Sequence, residues 1–258
     1  EYAAPTVKRL HFELGGKAPF IVFEDADLEA AAQGLIAGAF INTGQDCTAA
    51  TRVYVQRPIW DEFIARVGDL ISEIRLGDPL DRTTDMGPLI NRKQQERVLG
   101  FIDRAREQGA KVLLGGGVPD GFDRGYWVEP TLISGADQQS EIVQYEVFGP
   151  APTLLPFETE DEVLAKANDV RYGLAASVWT RDAHKSLRAS KALRFGTVWI
   201  NDHIPLTPEM PHGGFKQSGF GKDMSVESVE EYTVTKHVMA DITGQQRKDW
   251  YYVVAGDE

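Results

Sequence analysis

The sequence is short of several things, and each shortage excludes a class of protein. It holds one cysteine, Cys47, so no disulfide can form within the chain. That excludes a small disulfide-stapled secreted fold, and a reducing compartment, the cytoplasm, is expected. Cations are few: 27 Lys and Arg stand against 39 Asp and Glu, a net charge of −12. A nucleic-acid binder needs clustered cations to neutralise phosphates, and docking on an anionic membrane needs the same, so neither partner is expected. No apolar run approaches the roughly 20 residues that cross a bilayer. The longest mild stretch, Leu35 to Ile41, includes Gly38 and stops at Asn42. No Gly-x-Gly-x-x-Gly fingerprint for a dinucleotide phosphate occurs. The single cysteine and five scattered histidines have no metal-ligand spacing, so no metal is expected. The first residue is Glu1, and the opening reads as the interior of a longer polypeptide.

What is present is an α/β pattern. The 258 residues suffice for a full core. Short β-branched or aromatic runs alternate with helix-period stretches. Strands are expected at residues 20–23, 52–56, 111–114, 127–133, 153–157, 176–179 and 197–200. Helices are expected at 28–41, from Pro58 to Ile74, and at 92–108, 160–168 and 183–191. Asp25-Ala26-Asp27 offers an N-cap to the first helix. Residues 204–221 are rich in Pro, Gly and Ser and read as an irregular loop, and 231–239 reads as β-rich. Gly115-Gly116-Gly117 reads as a polar turn that opens no helix, a poor place for a phosphate. Trp250-Tyr251-Tyr252-Val253-Val254 either packs on another subunit or is a disordered tail.

Three local patterns carry chemistry: Glu13-Leu14-Gly15-Gly16-Lys17, Asn42-Thr43-Gly44-Gln45-Asp46-Cys47, and Glu146-Val147-Phe148-Gly149-Pro150. Alone, each has a bland reading as a strand end meeting a turn, an inert buried cysteine, and a plain turn. Together, in this order and spacing, they resemble the aldehyde dehydrogenase superfamily, NAD(P)-dependent enzymes that oxidise aldehydes to acids. Glu129-Pro130-Thr131, Tyr172-Gly173-Leu174-Ala175, Gly196 to Asn201 and Gly213 to Gly219 extend the resemblance over almost the whole chain. It implies an open Rossmann-like α/β sheet over residues 1–230, the family's catalytic domain. It implies a C-terminal oligomerisation arm and tail over 231–258, joining copies into a dimer or tetramer. It also implies a preceding half with the dinucleotide-binding domain, absent from this sequence. The isolated chain is then expected to bind NAD weakly and to be inactive or nearly so.

The chemistry agrees. An aldehyde releases a hydride readily only after a nucleophile has added to its carbonyl, and a thiolate is the natural attacker. The resemblance makes Cys47 that nucleophile and Glu13 the general base that hydrolyses the resulting thioester. It sets the backbone of Leu14 and Gly15 against the nicotinamide, Glu146 on its ribose and Phe148 beside its ring. NAD is the expected cofactor, with NADP an alternative. Within the family, Gly44 to Ala50, Glu209 to Gly214 and Gly221 to Ser225 most resemble the aminoaldehyde branch, the gamma-aminobutyraldehyde (4-aminobutanal) dehydrogenases, with betaine-aldehyde or general aldehyde dehydrogenases as the alternative. Asp46 is expected either to pair with a cationic amino group or to cap a turn. His212 occupies a substrate-binding position where many amino- and betaine-aldehyde enzymes carry an aromatic residue. Two other classes are a cysteine hydrolase pairing Cys47 with a histidine, for which no local signature exists, and a non-catalytic oligomerisation piece.

Overall fold

The computed structural model describes residues 2–245. The aromatic segment 250–254 lies outside the described residues. In chain order the strands are β1 (Phe12–Glu13), β2 (Ala18–Val22), β3 (Ala50–Gln56), β4 (Lys111–Leu114), β5 (Leu132–Ser134), β6 (Thr153–Phe157), β7 (Tyr172–Gly173), β8 (Ala175–Trp179), β9 (Thr197–Ile200), β10 (Phe215–Lys216) and β11 (Gly219–Phe220). The α-helices are α1 (Leu28–Phe40), α2 (Trp60–Ser72), α3 (Arg92–Glu107), α4 (Glu141–Gln144), α5 (Glu160–Asn168), α6 (Ala183–Ala192) and α7 (Ser225–Glu231).

Seven strands make one sheet in the order β4-β5-β6-β3-β2-β8-β9. Its neighbours run parallel except β4 with β5. Alternate side chains serve opposite faces. Phe20, Val22, Val53 and Val55 pack with Leu35 of α1 and with Phe63 and Val67 of α2. Ile21 and Tyr54 pack on the other side with Phe101 of α3, Val163 of α5 and Ala189 of α6. Parallel crossovers put helices on both faces, so these strands are apolar throughout rather than at every second residue. Burying a side chain such as Leu35 or Phe63 contributes about 1.5–3 kcal/mol. Asp27 caps α1 by accepting from the Ala30 amide at 3.2 Å. Asp25 instead accepts from the Thr180 hydroxyl and the Arg181 and Asp182 amides, tying the end of β2 to the start of α6.

Three expectations need correction. Residues 127–131 are not strand; β5 covers only Leu132–Ser134. The backbone before it bonds to separate loops, Glu129 to Gly117 and Thr131 to Pro150. Residues 204–221 are not wholly irregular, since β10 pairs with β7 and β11 with β1. Residues 231–239, expected to be β-rich, contain no strand: Glu231 ends α7, and none follows through residue 245. A strand needs a neighbour's ladder to receive its N–H and C=O groups; here Val234, Val238, Met239 and Ile242 are exposed. No helix among the described residues is long and apolar enough to cross a membrane.

Candidate active site

Each of the three motifs leads into a parallel strand: residues 13–17 into β2, 42–47 into β3, and 146–150 into β6. β6, β3 and β2 are neighbours, so the three lead-ins lie side by side at the amino ends of the strands. Open α/β sheets commonly bind ligands at the carboxyl ends; this chain gathers its chemistry at the opposite end. A cleft of about 400 Å³ there is lined by Glu13, Leu14, Gly15, Gln45, Asp46, Cys47, Glu146 and Phe148. Seven of the eight site residues expected from sequence meet in it. His212 is not among its lining residues: it is buried, its backbone pairs with Asp223, and its Nδ1 lies 3.3 Å from the Thr197 hydroxyl.

Glu13 is set in place by distant residues. β1 pairs antiparallel with β11, putting Glu13 opposite Gly219. Ser218 secures the next turn. Its carbonyl accepts from the Leu14 amide at 3.1 Å. Its hydroxyl donates to the Gly15 carbonyl at 2.7 Å and accepts from the Gly173 amide at 2.9 Å. One buried oxygen of Glu13 has no hydrogen-bond partner among the described residues.

Cys47 follows a strained turn. Asn42 and Thr43 have φ of 50° and 60°, left-handed values costly for a β-branched threonine. The Thr43 hydroxyl holds that shape by donating to the Gly87 carbonyl at 3.0 Å, and the Gln45 side chain accepts from the Ile90 amide at 3.0 Å. Gly16 packs directly on the Cys47 carbonyl, where an added Cβ would stand 2.0 Å from the oxygen. Only glycine permits this approach between the lead-ins to β2 and β3.

The electrostatics of the cleft are uneven. Burial pushes the Cys47 thiol up to about 12, and the charges of Glu13 and Asp46 add to the rise. The thiol is therefore protonated at neutral pH. Asp46 Oδ1 accepts from both the amide and the hydroxyl of Thr48, each at 2.6 Å. Of its two expected roles, turn capping is the one its contacts make. Across the cleft, Glu146 Oε1 accepts from the Gly16 amide at 2.9 Å. Burial raises the Glu146 carboxyl, opposed by that amide and by Lys17. Lys17 is 1% exposed, and its Nζ has no hydrogen-bond partner among the described residues. Burial, with Arg52 beside it, lowers its pKa to about 7. Phe148 has φ of 59°, and its carbonyl accepts from Gln94 Nε2 at 2.6 Å.

Lys17, Gln45, Gln94, Arg97 and Ser218 carry parts of this arrangement without having been singled out in the sequence. Lys17 and Gln45 stand inside the motifs, which was a usable signal. Gln94 and Arg97, whose guanidinium donates to the Glu146 carbonyl, are ordinary helix formers on α3 and gave none. The amides of Gly116 and Gly117 donate to the Thr131 hydroxyl and the Glu129 carboxylate, so these two are engaged within the chain. Among the described residues no cluster of three or more His, Cys, Asp or Glu could hold a metal ion.

Residues 1–238 match the aldehyde dehydrogenase family. The chain belongs to that family. It is 43% identical over 242 residues to a betaine aldehyde dehydrogenase of Brucella anthropi and 45% identical over 241 residues to one of Mesorhizobium japonicum, each match covering 93% of this chain and 50% of the relative. The crystal structure of betaine aldehyde dehydrogenase from Staphylococcus aureus in complex with NAD+ superposes with a TM-score of 0.91 at 41% identity, covering 96% of this chain and 50% of that one. An aldehyde dehydrogenase from Bacillus cereus gives 0.87 at 39% identity, over 90% and 47%. The chain thus spans about half the length of the relatives it matches. These relatives carry the betaine aldehyde name, not the 4-aminobutanal name that the sequence most resembled.

Proposed function

We propose that this chain is the catalytic portion of an NAD-dependent dehydrogenase that oxidises a cationic aldehyde, betaine aldehyde first, to its acid. The carrying observation is the single cleft that collects Cys47, Glu13, Glu146 and Phe148. Its residues suit the nicotinamide end of the cofactor. Glu146 has one oxygen engaged by Gly16 and the other beside bare Gly15, where an added Cβ would stand 2.7 Å from it. That carboxylate would hold ribose hydroxyls, and the Phe148 ring and the Leu14–Gly15 backbone would bound the flat ring. NADP is an alternative that the same residues accommodate.

Bound NAD supplies the acceptor for the substrate's hydride. The chain's own residues do the rest. Cys47 adds through sulfur to the aldehyde carbon; the C–S bond forms and the carbonyl π pair moves to oxygen. The thiol proton passes to Glu13, the acid whose charge faces it. Loss of hydride leaves a thioester on Cys47. Glu13, once freed of that proton, takes one from a water that attacks the thioester carbon. The C–S bond breaks, the thiolate recovers a proton, and the acid leaves.

The relatives' names support betaine aldehyde, as does the capture of Asp46 by Thr48. 4-Aminobutanal is the second reading, favoured by the location of Asp46 beside the nucleophile in the cleft. We read residues 231–258 as the segment joining copies, supported by the exposed apolar side chains of 232–242. The test is NAD reduction by a polypeptide that combines this chain with the N-terminal half its relatives carry. Betaine aldehyde should be preferred over 4-aminobutanal, and both over a neutral aldehyde of similar length. Preference for the neutral compound removes the cationic-substrate reading; absence of any NAD reduction removes the dehydrogenase reading.

A further inference from the structure

His203 lies outside the cleft, yet it is tied to the turn that carries the nucleophile. It is 4% exposed, on the loop that follows β9. Its Nε2 lies 2.8 Å from the carbonyl oxygen of Thr48, the residue after Cys47. Its Nδ1 lies 2.9 Å from the Ser177 hydroxyl on β8. A carbonyl can only accept, so Nε2 carries the proton and Nδ1 accepts from Ser177. The ring packs at a tilt against Phe20 and Trp199, with centroids 5.7 and 4.7 Å away. Gly38 of α1 leaves room for it: an added Cβ would stand 2.8 Å from the imidazole. Thr48 in turn gives its amide and hydroxyl to Asp46, so both neighbours of Cys47 hang on one connected set of bonds.

We propose that His203 is a positioning residue for Cys47: by donating to the Thr48 carbonyl it fixes the nucleophile's turn to the central sheet. The inference rests on the nucleophile reading above, but its test reads the thiol directly. The charged groups facing the ring are Asp46 and Asp202, and burial lowers its pKa to about 4, so the ring is neutral near pH 7.

The experiment is alkylation of Cys47, the sole thiol, by iodoacetamide as a function of pH, on the purified chain, with melting temperature recorded alongside. Four variants are compared with wild type. His203→Gln keeps a donor at the Nε2 position, His203→Asn reaches only toward Ser177, His203→Phe keeps the aromatic packing alone, and Ser177→Ala frees the ring's other end. Freed from Thr48, the turn admits water to the thiol. Asn and Phe should therefore move the midpoint of the alkylation profile down by about one pH unit, about tenfold faster alkylation at pH 8. Gln should stay with wild type, and Ser177→Ala should fall between. Folded Asn or Phe variants with the wild-type midpoint overturn the proposal, as does a Gln variant that behaves like Asn. If Phe does not fold, the Gln and Asn pair still decides. An enzyme with no aldehyde activity but this alkylation pattern would separate failure of the functional reading from failure of the positioning role.

Discussion

The two walls of the cleft bury an ionisable group among different neighbours. On the Cys47 wall the neighbours are Glu13 and Asp46, and both anions work against a thiolate. On the Glu146 wall the Gly16 amide, Lys17 and Arg97 favour a carboxylate, and only the more weakly felt Glu13 works against it. Burial penalises both charges and raises both groups; on the Glu146 wall the amide and the two cations offset part of that rise. The difference teaches that Cys47 rests as a thiol. In the proposed reaction its activation needs a base at the moment of attack, and Glu13, whose charge opposes the thiolate at rest, is the proposed acceptor of its proton.

The largest effect expected is from Cys47→Ala, which should reduce aldehyde oxidation by the complete enzyme to background while NAD binding, proposed for the opposite wall, survives in a titration. A Cys47→Ala enzyme that still turns over would leave the thiol wall without a function. Next is Glu13→Gln. It should cost about 10²–10⁴ in kcat through loss of the base. It should also shift Cys47 alkylation to lower pH, since removing a nearby anion favours the thiolate. Burial is the larger cause of the raised pKa, so only part of the rise should go. An upward shift would refute the repulsion on this wall.

Lys17→Met tests the other wall. Folding lowers the Lys17 pKa to about 7 from the ordinary 10.5, so between those values the unfolded chain binds the extra proton. Stability should therefore rise with pH across that window. The rise should flatten in Lys17→Met when denaturant midpoints are compared at pH 7 and pH 9.5. An unchanged slope would mean that Lys17 is not buried as a titrating amine. The smallest effect is expected from Asp46→Ala: about 1 kcal/mol of lost hydrogen bonding at Thr48, with a slight fall in the alkylation midpoint. A KM increase confined to 4-aminobutanal would instead restore Asp46 as the partner of an ammonium group.

The strands and helices around the central sheet were largely legible because local patterns carry them. β4, β6, β9 and α5 start and end where the spacing predicts. The stretch before β5 was misread because Trp127 and Val128 are buried without pairing; apolar content does not show where backbone hydrogen bonds go. β1, β10 and β11 were missed because two-residue strands have no period to detect. Of the site, the residues inside short motifs were legible. Ser218, Gln94 and His203 were not, since each acts through contacts more than 50 residues away along the chain.

By itself, the sequence determined the α/β class, the family, and the residue types of the cleft, because the motifs are local and their chemistry resides in side-chain identity. Only the tertiary structure decided that the three motifs share one edge. That follows from the β6-β3-β2 strand order, which no local pattern encodes. Tertiary packing also decided that His212 stands outside the cleft, that Asp46 is bound to Thr48, and that Cys47 rests protonated. Burial, partner and charge state are properties of neighbours in space, and those neighbours are distant in sequence.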